Sequence, residues 1–184
     1  MFELLLARVA TALDEANIDY MVIGGQAVLL YGQPRHTQDI DITIGIEPSK
    51  LLLIMDLVGK LRFKILTQNP NEFVRKTMVL PVVDNDTGTR IDFIFYTSEY
   101  EKIAIQRAVL VDVDKAKVKY ASVEDLIIHK IIAGRPRDLE DIKSVLLKNP
   151  GYDRIYIESW LAKFEKALNI NLLSSFRKLI KEIK

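Results

Sequence analysis

The stretch "VIGGQAVLLYGQPRHTQDIDIT", residues 22–43, begins as a buried strand, breaks at Gly24-Gly25 and ends with two aspartates on alternate positions. "DIDITI" alternates without a fault, so Asp39, Asp41 and Thr43 share one face of a strand and Ile40, Ile42 and Ile44 the other. The isoleucine face belongs to the core. Pleating sets Asp39 and Asp41 ~7 Å apart along the strand, close enough for both to reach one divalent cation. Upstream, residues 26–32 supply two helical turns, ended by Gly32 and Pro34. A strand that closes on two glycines and turns straight into a helix presents bare backbone N–H groups and a helix N-terminus, both suited to phosphate oxygens. Taken singly, each half also has a plain explanation: a tight turn for the glycines and a solvated acidic edge for the D-x-D.

Around this stretch the pattern is mixed α/β and then helical. Phe2, Leu5, Leu6, Val9, Leu13 and Ala16 recur at helical spacing before the first strand, and "SKLLLIMDLVGKLRF" reads as a helix entered through Pro48. "KTMVLPVVDNDTGTRIDFIFYT" reads as two strands about an Asp/Asn/Gly turn; in the second, Ile91, Phe93 and Phe95 face one way and Arg90, Asp92 and Ile94 the other. A short helix over 99–108 and a hairpin turning near Asp114-Lys115 complete this part. From Ser122, an N-cap, the chain turns helical: "VEDLIIHKIIAG" stopped by Gly134, "PRDLEDIKSVLLKN" opened by Pro136, and two amphipathic helices over 153–168 and 171–183. The expected fold class is α/β (α+β), a core over 1–120 with a helical part over 121–184 packed on it.

Composition narrows the function. The chain has 184 residues, 26 Lys plus Arg against 25 Asp plus Glu, and no cysteine. A net charge of +1 gives no global field to draw in a polyanion, so any nucleic acid must be held locally. The lack of cysteine excludes disulfide frameworks and thiolate metal sites, and fits a reducing, cytoplasmic setting. The first residues carry acids within an amphipathic pattern and do not read as a secretory leader, and no apolar run is long enough for a membrane span.

Asp92 raises the weight of the acid pair. It is a third carboxylate flanked by apolar residues in a strong strand, where it needs a partner: a metal, or an ion pair with Arg90 or a nearby lysine. Three acids on neighbouring strands form a hard-oxygen site suited to Mg²⁺ or Mn²⁺.

"IGG", 13 residues, then "DID" and a later strand acid resembles the nucleotidyltransferase superfamily typified by DNA polymerase beta. More narrowly, "GGQAVLLYGQPRHTQDIDI" with "EDLIIHKIIAGRPRDLEDI" is similar to the small nucleotidyltransferases of the abortive-infection and toxin–antitoxin group. The resemblance covers about residues 20–145 and departs at Gly25, where many members carry a serine that contacts phosphate. It implies a mixed sheet of that type with flanking helices, and Asp39, Asp41 and Asp92 as catalytic residues and ligands to Mg²⁺ (or Mn²⁺). It also implies a nucleotide site built from Gly24, Gly25, Arg35, Thr37, Lys130 and Arg137, with Asp138 and Asp141 behind it. Read on their own, Arg35 is equally a loop arginine, Asp138 a first-turn acid on the helix dipole, and Asp141 a partner for Lys130 or Arg137. The implied activity is transfer of NMP from an NTP to a hydroxyl of an RNA such as tRNA, a protein or a small molecule, with an antitoxin protein as a partner. The alternative is a catalytically silent relative that binds nucleotide or a partner protein.

Overall fold

A computed structural model describes residues 2–183, which divide into two compact units: residues 2–26 with 36–121, and 27–35 with 122–183. In chain order the elements are α1 (Phe2–Glu15), β1 (Tyr20–Ile23), α2 (Gly24–Tyr31), β2 (Asp39–Ile44), a 3₁₀ turn (Pro48–Lys50) running into α3 (Leu51–Lys60), β3 (Phe63–Ile65), α4 (Pro70–Thr77), β4 (Val79–Asp84) and β5 (Arg90–Phe95). There follow α5 (Glu99–Gln106), β6 (Val109–Val113), β7 (Ala116–Tyr120), α6 (Val123–Ala133), α7 (Pro136–Lys148), α8 (Arg154–Leu168) and α9 (Leu172–Glu182). The mixed α/β class expected from the residue pattern is the one observed.

The first unit holds one seven-stranded mixed sheet in the order β3-β4-β5-β2-β1-β7-β6. At its centre β2 runs parallel to β5 and antiparallel to β1. The parallel register pairs Ile40 with Ile91, Ile42 with Phe93 and Ile44 with Phe95, so one face of the two strands is a continuous apolar layer, at most 1% exposed. Burying side chains of this size is worth ~1.5–3 kcal/mol each. A one-residue slip would turn that layer out to solvent, so burial fixes the register and with it the polar residues on the opposite face. Helix α1 packs on β6 and β7, α3 on β3, α4 on β4, and α5 on β1 and β2.

Two elements of this unit do not show in the sequence pattern, the edge strand β3 and the polar helix α4, which Asn69 caps by accepting from the Glu72 amide. The "DNDTG" segment is a hairpin turn: Asp84, 1% exposed, accepts from the Thr87 amide and hydroxyl and from Arg8. In the second unit α6 packs on α7, α8 and α9, and α9 also on α7 and α8. Ser122 caps α6 by accepting from the Asp125 amide at 3.1 Å, and Gly134 ends the helix in the left-handed region. None of the helices over the described residues is long and apolar enough to cross a membrane.

Candidate active site

The helix after the first strand starts two residues earlier than periodicity suggests, at Gly24 itself, and ends at Tyr31. The reason is local. Gly24 has φ +64°, open to glycine at little cost, and a Cβ there would overlap the Asp41 carboxylate, with the Asp41 Cγ at 2.9 Å. The pairing of Ile23 with Asp41 across β1 and β2 brings the turn to that carboxylate. The first amides of α2 have no partner within the helix and carry the positive end of its dipole. Gly25, the second residue of α2, is buried. Gln26, the third, is 5% exposed, and its Nε2 has no hydrogen-bond partner.

On the polar face of β2 and β5, Asp41 stands in register with Asp92 and Asp39 with Arg90. Adjacent strands lie ~4.8 Å apart and alternate residues ~6.6 Å apart, so these four side chains form one compact rectangle. Thr37, 8% exposed, donates its hydroxyl to the Asp39 carboxylate and carbonyl, both at 3.3 Å, and so steadies the first acid. Arg90 donates from Nε and Nη2 to the two oxygens of Asp92, each at 2.9 Å. The ion pair with Arg90, one of the partners foreseen for Asp92, is present. The hydrogen bonds to Asp92 raise the Arg90 pKa above its ordinary value despite partial desolvation, and Asp39 and Asp41 add to the effect. Among the described residues the acids do not form a ready-made group of three ligands, and both oxygens of Asp92 accept from Arg90.

The remaining basic and acidic residues gather in the helical unit. Lys130, 5% exposed on α6, donates to Asp138 at 2.8 Å and to Asp141 at 2.7 Å. Arg35 grips the same Asp141 with Nε at 2.9 Å and Nη2 at 3.1 Å, and Arg135 donates to Asp138 at 2.7 Å. Burial pushes the Asp138 carboxyl up, but the hydrogen bonds from Arg135 and Lys130 outweigh it and hold the group below its ordinary value. Lys130, expected in the nucleotide site, thus has both acids as hydrogen-bond partners. A buried ammonium needs counter-charges, and this one has two. Asp138 keeps its first-turn place in α7 but also binds Lys130, and Asp141 joins Lys130 to Arg35. Arg137 lies exposed near the start of α7. The sequence-derived site thus falls into two groups: Gly24, Gly25, Thr37, Asp39, Asp41 and Asp92 in the sheet unit, and Arg35, Lys130, Arg137, Asp138 and Asp141 in the helical unit. Arg90 joins the first group unforeseen as a site residue; its i, i+2 spacing from Asp92 on one strand face was the available signal.

Residues 3–151 match the family described as "Nucleotidyltransferase of unknown function (DUF6036)". The chain belongs to this nucleotidyltransferase family. The same fold recurs in solved structures. An antigenic nucleotidyltransferase-like protein from Paracoccidioides brasiliensis is 20% identical, TM-score 0.60, with 90% of this chain and 87% of that one covered. The antibiotic-resistance factor ANT(2'')-Ia is 18% identical, TM-score 0.62, covering 91% and 92%. The lincosamide antibiotic adenylyltransferase LnuA is 16% identical, TM-score 0.52, covering 78% and 94%. At these identities the likeness is one of fold, a mixed sheet with flanking helices shared with these proteins. No curated protein matches the sequence. In this nucleotidyltransferase the Gly24 turn, the D-x-D strand and the third strand acid occupy one polar face of the central sheet.

Proposed function

We propose that this nucleotidyltransferase moves NMP from an NTP to an acceptor hydroxyl at the sheet face that carries Asp39, Asp41 and Asp92. One observation carries the reading: Asp41 stands in register with Asp92 and directly against the side-chain-free Gly24 at the start of α2. The donors are all carboxylate oxygens, hard ligands that fit Mg²⁺ or Mn²⁺ and not a thiophilic metal. Asp39, Asp41 and Asp92 would hold it. Such a cation, when bound, screens the triphosphate charge from the attacking oxygen and favours the ionised hydroxyl.

The chain's own part is positioning and proton transfer. The Gly24 and Gly25 amides and the unpartnered Gln26 amide offer donors for phosphate oxygens. The acceptor oxygen forms a bond to the α-phosphorus as the bond to the bridging oxygen breaks, and pyrophosphate leaves with that electron pair. Asp92 takes the hydroxyl proton. Thr37 keeps the Asp39 carboxylate from rotating away. Within the helical unit, Lys130, Asp138, Asp141 and Arg35 form one ion-pair network, and Arg137 is an exposed basic residue beside it in the sequence.

For the acceptor, a near-neutral chain gives no broad electrostatic footprint for RNA, which favours a small-molecule hydroxyl. ANT(2'')-Ia, seen with adenylyl-2''-tobramycin, and LnuA, seen with lincomycin, give that class a precedent on this fold. A toxin acting beside an antitoxin, on tRNA or protein, is the second acceptor class to test, motivated by the R-x-T-x-D-I-D and R-D-x-x-D segments. The test is incubation with each α-labelled NTP and Mg²⁺ or Mn²⁺ against aminoglycosides, lincosamides, total tRNA and a cell extract. Label moved by the wild type and not by Asp41→Asn is expected. Transfer undiminished in Asp41→Asn, or nucleotide binding with no transfer to any acceptor, overturns it.

A further inference from the structure

The Arg90–Asp92 pair has an asymmetry that matters once a cation has to enter. The Asp92 side chain is 16% exposed and fixed in a central strand, whereas that of Arg90 is 53% exposed. The guanidinium is therefore the partner free to move. It stands in register with Asp39 and bonds Asp92, so it lies among the same carboxylates that a divalent ion would use. Arginine does not give up its proton at any working pH, so this pair opens by exchange against another cation and not by deprotonation.

We propose that Arg90 is a positioning residue that competes with the divalent cation for Asp92: entry of the metal–nucleotide frees the guanidinium, which then turns to a phosphate oxygen. The inference rests on the function proposed above. It accounts for three acids that share one sheet face without forming a three-ligand group. A planar fork that satisfies both oxygens of Asp92 can satisfy two oxygens of a phosphate in the same way. A half-exposed pair of this kind is weak enough to yield to a divalent ion, with a competitive effect of about two- to five-fold on metal affinity. Arg90 thus disfavours metal without nucleotide and favours the two together.

The test is Mn²⁺ binding by electron paramagnetic resonance, with and without a non-hydrolysable NTP analogue, on wild type, Arg90→Ala, Arg90→Gln and Asp41→Asn. Circular dichroism checks that each is folded, and Arg90→Gln stands in should the alanine variant fail to fold. Without nucleotide, Arg90→Ala and Arg90→Gln are expected to bind Mn²⁺ about two- to five-fold more tightly than wild type. With Mn²⁺ saturating, both should bind the analogue more weakly than wild type. Equal Mn²⁺ affinity in wild type and the Arg90 variants, with loss only in Asp41→Asn, overturns this inference and leaves the proposed function standing. No Mn²⁺ binding in any of them overturns both.

Discussion

Gly24 concentrates the physics of the site in one Cα atom. Its φ of +64° costs an L-residue roughly 1–2 kcal/mol, and a methyl group there would also have to displace the Asp41 carboxylate. Gly88, at φ +69° in the β4–β5 turn, has nothing within 4 Å of an added Cβ. The two alanine variants therefore separate backbone strain from crowding. Gly88→Ala should lose about 1–2 kcal/mol in urea unfolding and keep nucleotide transfer. Gly24→Ala should lose more stability and also transfer, because Asp41 is pushed off its register with Asp92. Equal losses in both variants, with transfer intact, would mean that the close approach of Gly24 to Asp41 has no functional consequence. Asp92 shows where residue-level reading stopped. Its apolar neighbours and its partner Arg90 are both legible in "RIDFIF", but that Asp92 stands beside Asp41 and Arg90 beside Asp39 depends on cross-strand register, which one strand does not contain.

At the scale of elements, the parts with strong periodicity or clear caps were legible before folding: the Asp39–Ile44 strand, the hairpin over Val109–Tyr120, and the helices bounded by Ser122, Gly134 and Pro136. Residues 63–77 were not. A three-residue edge strand is too short to alternate, and α4 buries only Val74, so its helical stripe is nearly empty; the Asn69-Pro70 start with Glu72 three residues after the cap was the usable signal. The α6–α7 pair shows a different limit. An i, i+3 pair of acids after Pro136 was plain, and Lys130 was one of two partners weighed for Asp141, but its second bond, to Asp138, was not, since the ion pairs are made between helices. Lys130, Asp138 and Asp141 are all 5% exposed or less, so removing one charge leaves the others buried and short of a counter-charge. Lys130→Met should cost about 3 kcal/mol in urea unfolding, the low end of the range for a broken buried pair, because Arg35 and Arg135 still reach the two acids. A cost below about 0.5 kcal/mol would show that the ammonium is not what holds α6 to α7.

Across the whole chain, stability should be flat through neutral pH and fall at both ends for different reasons. On the acid side, the guanidinium groups of Arg177 and Arg154 lower Glu158 to about 2, and Asp138 and Asp84 are also held below their ordinary values. Each of these binds a proton in the unfolded chain at a higher pH than in the folded one, so stability rises with pH across that window and is complete above the unfolded carboxylate values. On cooling the pH from 4.5 towards 2 it is lost. Glu158 is paired with half-exposed arginines, so its share should also shrink in high salt. On the alkaline side, burial raises both Tyr20 and Tyr120 to about 12 from the ordinary 10. Here the unfolded chain loses its proton first, so the stability is present below pH 10 and disappears as pH climbs towards 12, up to roughly 2–3 kcal/mol for each ring. Tyr120, 6% exposed, tests this arm: Tyr120→Phe keeps the buried ring and has no proton to lose. Urea midpoints should be level from pH 5 to 9 in both proteins, and between pH 10 and 11.5 the variant should decline less steeply than wild type. Identical alkaline slopes would mean that Tyr120 ionises as readily in the folded chain as in the unfolded one, and that its burial against the sheet is looser than its exposure indicates.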